Sequence, residues 1–221
     1  MIDRTFDFSI DLTDAPFNRV ADGVYVGARP QPAGLQALEE AGITHVISCL
    51  EETERGSVAF LRERFETVFI PVRDSIDSDI AASFPEAFAF ASRAQASPSK
   101  AGLLVHCAVG VSRSATVATA LVMQRQALTF LDAYRSVRAG RPKVLPNIGF
   151  ASQLQRLEHS MHAETRGELS SLARYLREVC NVPVEIEVLQ EMLERHDYDA
   201  PRAIRAIFGG DIPRVVQGVR L

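Results

Sequence analysis

The sequence predicts an α/β fold: a mostly parallel central sheet flanked by helices, with a small helical appendage at the C-terminal end. Three observations carry this expectation. Short apolar runs alternate with longer amphipathic ones as far as residue 126, the pattern of strands that connect through helices into a sheet covered on both faces. A length of 221 residues, 47% of them hydrophobic and 24% charged, suffices for one packed domain and a small addition. Near Glu164 to Gly167 the pattern resets, and only short helical stretches follow.

Taken in order, GVYVG (23–27), THVISCL (44–50), TVFIPV (67–72) and GLLVH (102–106) are strands, brief runs rich in branched aliphatic residues. AGLQALEEAG (33–42), GSVAFLRERF (56–65), IAASFPEAFAFASRA (80–94) and SATVATALVMQRQ (114–126) carry apolar residues at helical spacing between and after them. Two further helices, LDAYRSVRA (131–139) and NIGFASQLQRLEHSMH (147–162), flank the turn GRPKVLP. Beyond them LSSLARYLREV, EIEVLQEMLERH and APRAIRAIF form three short helices separated by Pro- and Gly-containing breaks. The chain therefore divides into a main domain over 1–164 and an appendage over 165–221.

Net charge is only -4, so no global basic field recruits nucleic acid or anionic lipid, and electrostatics must be read locally. MIDRTFDFSIDLTDAPF interleaves charges with apolar residues and lacks both a signal-peptide core and a membrane span. Cysteines at 49, 107 and 180 are an odd, widely spaced set that suits a reducing compartment, and the expected location is cytoplasmic.

In sheets of this kind ligands bind beyond the carboxyl ends of the strands. LLVHCAVGVSRSAT (103–116) lies at such a place, directly after a strand and opening a helix. Five residues separate Cys107 from Arg113, with Gly110 midway and Ser114 directly after the arginine. In a strand-to-helix turn the backbone N–H groups of Ala108, Val109, Gly110, Val111, Ser112 and Arg113 point inward, and the helix N-terminus adds partial positive charge. The result is a nest of phosphate size. Gly110 supplies the unusual backbone angles, and the Arg113 guanidinium grips two phosphate oxygens and holds the charge that develops during transfer. The helix terminus and the arginine both favour ionised Cys107, a nucleophile able to form a phosphocysteine that water then hydrolyses. Ser114, donating to the sulfur, eases its departure in that second step, and His106 supports the loop by hydrogen bonding.

The loop HCAVGVSRS resembles the H-C-x-x-G-x-x-R-[ST] signature of cysteine-dependent protein tyrosine phosphatases, and its G-x-S-R-S ending looks most like their dual-specificity branch. GVYVGARPQ followed by LEEAGITHVISCLEE resembles that branch's opening strand, helix and second strand, and PNIGFASQL (146–154) resembles its P-N-x-G-F-x-x-Q-L helix. The resemblance covers roughly residues 20 to 160. It implies a phosphorylated protein as substrate and a reaction that needs no cofactor.

Cleaving a phosphate ester also needs a proton for the leaving oxygen. Asp74, Asp77 and Asp79 are the candidates in PVRDSIDSDI. Asp74 follows the strand TVFIPV at the sheet's carboxyl edge, and the branch pattern of Asp, an aliphatic residue and Phe is matched by Asp74, Ile80 and Phe84. Asp77 and Asp79 read as loop and helix-cap residues. Asn147 is either a brace for the phosphate loop or the cap of its own helix. Arg141, in RAGRPKVLPN, either contacts substrate anions or is a solvated turn arginine. Cys49 reads as a packed core residue, with a protective disulfide to the catalytic loop as the alternative. No C-x-x-C or H-x-x-x-H spacing suggests a metal site.

The expected activity is hydrolysis of phosphotyrosine, extending to phosphoserine and phosphothreonine. The alternatives are a phosphatase for phosphoinositides or other non-protein phosphate monoesters, and a catalytically silent phosphate-binding module. LQEMLERHDYDAPRAIRAIFGG resembles small three-helix ubiquitin-associated bundles, so the appendage either packs on the catalytic domain or binds a protein partner.

Overall fold

A computed structural model describes residues 15–96, 101–162 and 169–213. The boundary expected at 164/165 lies outside the described residues.

Five strands form one sheet in the order β1-β2-β5-β3-β4, with β1 Phe17–Ala21, β2 Val24–Gly27, β3 Ile43–Leu50, β4 Glu66–Pro71 and β5 Gly102–His106. All neighbours are parallel except β1 and β2, which form an antiparallel hairpin in which Ala21 faces Val24. Strand β1 is absent from the sequence expectation. FNRVA is short and carries Asn18 and Arg19, as an edge strand tolerates. Its signal is the dipeptide Asp22-Gly23, with Gly23 at φ +65°, the left-handed conformation a two-residue hairpin turn demands.

The two-residue period of the strands sorts their side chains between two cores. Leu104 joins Val46, Leu50, Val58 and Leu61 beneath α1 (Leu35–Glu40) and the segment Glu52–Glu63. Leu103 and Val105 face the other way, with Ile47 and Cys49, into the larger core. Continuing that alternation by one step places Cys107 on the larger-core side, against α3 (Arg113–Gln126). Every residue of α3 from Arg113 to Met123 is buried, which makes it the central helix, flanked by α2 (Phe84–Ala96), α4 (Phe130–Gly140) and α5 (Ile148–Met161). Each fully buried Leu, Ile or Val contributes about 1.5–3 kcal/mol.

Residues 52–63 form a 3-10 helix where an α-helix over 56–65 is expected. Side chains three apart eclipse in a 3-10 helix, and Val58 and Leu61, three apart, are its two buried residues. The carboxylate and backbone of Glu51 and Glu54 close a reciprocal capping box at its start.

The C-terminal stretch folds as α6 (Ser171–Arg174), a π turn over Tyr175–Val179, α7 (Ile186–Arg195) and α8 (Ala200–Ile207). Leu172, Tyr175, Leu176, Leu189, Leu193 and Ile204 belong to the same hydrophobic cluster as the sheet and α3. Polar contacts cross as well: Leu172 N donates to Gln155 Oε1 (2.7 Å) and Ala200 N to Ser152 Oγ (2.9 Å), both on α5.

Candidate active site

Strand β5 ends at His106, and the chain turns through residues 107–112 before α3 begins at Arg113. The turn hugs the sheet. Gly110 has φ +73°, and a Cβ there would lie 2.5 Å from the carbonyl of Gly27, so only glycine permits both the angle and the approach. His106 is buried, its Nε2 paired with Ser48 Oγ (2.8 Å) and its Nδ1 3.4 Å from the Cys107 carbonyl oxygen. Burial, the largest influence, lowers its pKa to about 4, and the nearby Arg29 and Arg113 charges act in the same direction. The imidazole is therefore neutral at pH 7 and supports the loop.

Cys107 Sγ accepts two hydrogen bonds, from Gly110 N and from Ser114 Oγ, each 3.2 Å long. Arg113 Nη1 donates to the Val72 carbonyl at 3.2 Å, which fixes the guanidinium. Its Nε is buried and has no hydrogen-bond partner among the described residues, although Asp74 Oδ2 lies 3.8 Å away. A buried, unpaired guanidinium N–H is costly unless an anion completes it.

Asp74 sits past the carboxyl end of β4 and is held on the phosphate loop itself. Its Oδ1 accepts from Ser112 Oγ (2.7 Å) and from Asn147 Nδ2 (2.9 Å). Asn147 caps α5, its Oδ1 accepting from Phe150 N (2.9 Å), and its backbone N–H donates to Ser112 Oγ on the loop (3.3 Å). Gly149 explains why the next helical turn must be small: a Cβ there would lie 1.9 Å from the Ile76 carbonyl oxygen in the acid loop. Asp79 Oδ1 accepts from Ala82 N (3.1 Å), one residue before Ile80, which is the N-cap of the 3-10 turn Ala81–Ser83.

Arg141 is not a solvated turn arginine, since its side chain is fully buried. Nε donates to the Gly110 carbonyl (3.0 Å), Nη1 to the Ala15 carbonyl (3.1 Å) and to Asn18 Oδ1, so it ties the N-terminal strand to the back of the phosphate loop. Other loop carbonyls are satisfied by backbone donors, that of Ala108 by Arg29 N (3.2 Å) and that of Val111 by Leu145 N (2.8 Å).

Sequence reasoning missed Glu54. This carboxylate pairs with Arg29 and lies 3.9 Å from Arg113 Nη1, bridging two arginines beside the loop. The available signal was position, since CLEETERG follows β3 at the carboxyl edge of the sheet. Cys49 is completely buried, and burial, ahead of the repulsion from Cys107, pushes its thiol far above the ordinary range.

Residues 24–160 match the family described as "Dual specificity phosphatase, catalytic domain". Dual specificity protein phosphatase 12 of Rattus norvegicus is 33% identical over 174 residues, 76% of this chain and 50% of the relative. Dual specificity protein phosphatase 1B of Arabidopsis thaliana is 32% identical over 147 residues, 65% of this chain and 83% of its own length. The chain thus spans about half the length of the rat relative. Human DUSP28 superposes with a TM-score of 0.60 at 28% identity, over 67% of this chain and 97% of that one. The arrangement of β5, loop and α3 built above falls wholly inside the matched span, and the chain belongs to the dual specificity phosphatase catalytic-domain family.

Proposed function

We propose that the chain is a cysteine-dependent phosphoric monoester hydrolase that acts on phosphorylated proteins, on phosphotyrosine together with phosphoserine and phosphothreonine. One observation carries the reading: Arg113 Nε is buried with no hydrogen-bond partner among the described residues, at the start of the helix that follows a loop whose Cys107 sulfur already accepts two donors. A phosphate dianion is the ligand that completes the guanidinium while presenting phosphorus to Sγ.

In the first step the Cys107 thiolate forms the S–P bond as the bond from phosphorus to the ester oxygen breaks. Asp74, protonated, gives its proton to that oxygen, and an alcohol or phenol leaves. Charge on the transferred group rests on Arg113, held by the Val72 carbonyl, and on the loop amides, with Arg141 holding the Gly110 carbonyl. In the second step water attacks phosphorus and loses a proton to the Asp74 carboxylate. The S–P bond breaks, its electron pair returns to sulfur under the Ser114 hydroxyl, and inorganic phosphate departs. Val109, in the loop and 58% exposed, offers apolar surface to a substrate side chain.

The sulfur chemistry points to a cytoplasmic setting, since Cys49, Cys107 and Cys180 are all free thiols. Among the described residues no helix is long and apolar enough to cross a membrane. The reading is tested with a phosphopeptide panel carrying the three phosphorylated residues, with phosphoinositide headgroups beside it. Release of inorganic phosphate from peptides, lost in Cys107→Ser, supports it; release from headgroups alone redirects it to the non-protein alternative, and no release from either refutes it.

A further inference from the structure

We infer that Tyr175, outside the matched catalytic span, is a positioning residue for the active site, acting through Pro146 and Asn147 to hold Asp74 on the phosphate loop. The inference rests on the phosphatase reading above and extends its machinery into the C-terminal helices.

Tyr175 opens the π turn that follows α6, closed by Cys180 N donating to the Tyr175 carbonyl. A π turn widens the helix locally and re-aims the side chains it carries. The ring is fully buried, 5.0 Å edge-on from Tyr134 and 5.2 Å from Phe130. Its hydroxyl donates to the Pro146 carbonyl at 2.6 Å. Burial pushes the phenol well above its ordinary range, so it stays a donor throughout the working pH range.

Proline has no N–H, so the carbonyl is the sole backbone hydrogen-bonding group of Pro146. The segment it belongs to is the one that grips the phosphate loop. Arg141 holds Gly110 O, Leu145 N donates to Val111 O (2.8 Å), and Asn147 reaches Ser112 and Asp74. On the opposite side Tyr134 OH donates to Val144 O (3.1 Å). The segment is therefore clamped between the phosphate loop and two tyrosine hydroxyls, and the Tyr175 clamp lies one residue from the side chain that orients the acid. Packing alone would need the ring and not the hydroxyl, and the hydroxyl is what a substitution can remove by itself.

The test is Tyr175→Phe in the full chain, its fold checked by circular dichroism and thermal melting. Rates are measured on an aryl phosphate with a poor leaving group, which needs the acid, and on dinitrophenyl phosphate, which does not. The expected result is about a fivefold fall on the poor leaving group, the rate equivalent of one net hydrogen bond, and a smaller fall on the good one. In an Asn147→Ala background the same substitution should add nothing to the difference between the substrates. An equal fall on both substrates, or an effect that adds independently of Asn147, overturns the inference and leaves the phosphatase reading standing. A wild-type chain that hydrolyses neither substrate overturns both.

Discussion

Ser112 Oγ donates to Asp74 Oδ1 across 2.7 Å, so the proposed acid is fastened to the loop that carries the proposed nucleophile. The two residues lie 38 apart in sequence, on loops that leave different strands. Fastening them together sets where the proton stands relative to phosphorus. Asp74→Asn should lower turnover of poor leaving groups by about 10²–10⁴-fold, the usual worth of general acid catalysis, and that of dinitrophenyl phosphate by far less. Steady-state rates across a leaving-group series check this, and an equal loss across the series removes Asp74 from the role.

Ser114 Oγ stands 3.2 Å from Sγ, and its proposed role is in the step in which sulfur leaves. A hydrogen bond to a charged partner is worth about 1.5–3 kcal/mol, so Ser114→Ala should slow dephosphorylation of the enzyme about 10- to 100-fold. The first step is less affected. Rapid mixing should then show a burst of alcohol followed by slow turnover, with phosphoenzyme accumulating.

His106 gives a pH signature. Its pKa, lowered to about 4 in the fold from 6.5, means that above pH 6.5 neither state binds a proton and nothing is lost. As pH falls from 6.5 to 4 the unfolded chain takes up a proton that the native imidazole refuses. Stability should decline by up to about 3 kcal/mol across that window. Urea midpoints between pH 7 and 4 measure it, and His106→Gln should flatten the slope.

Gly110 tests the approach of the loop to β2. With φ +73° and the Gly27 carbonyl 2.5 Å from where an alanine methyl would stand, Gly110→Ala must displace the loop. A shift of about 1 Å at a reacting centre costs about 10²-fold, so activity should fall at least that far. Vanadate affinity should fall with it.

Much of this architecture is legible in the chain. GLLVH and THVISCL announce themselves as strands because they are buried on both faces and need apolar residues almost throughout, and TVFIPV, a partly buried edge strand, does so through its branched and aromatic residues. The phosphate loop is legible because its function constrains adjacent residues, from His106 to Ser114, within one turn. What escapes is contact between distant segments. Arg141 reads as a surface arginine because the carbonyls that satisfy it, at Ala15, Val109 and Gly110, belong to other loops. Glu54 and Tyr175 look ordinary for the same reason, since each matters through a partner dozens of residues away. Residues 52–63 escape differently: the i, i+3 pair Val58 and Leu61 fits an α-helix and a 3-10 helix alike.

The central claim is that Cys107 reacts as a thiolate inside an anion cradle. Alkylation of the native chain by iodoacetate at neutral pH, with and without vanadate, tests it most directly. Modification confined to Cys107, faster than that of free cysteine and blocked by vanadate, is the predicted result, since desolvation pushes the Cys49 and Cys180 thiols far above the ordinary range whereas Cys107 Sγ accepts from Gly110 N and Ser114 Oγ. Alkylation of Cys107 no faster than free cysteine, or indifferent to vanadate, would contradict it.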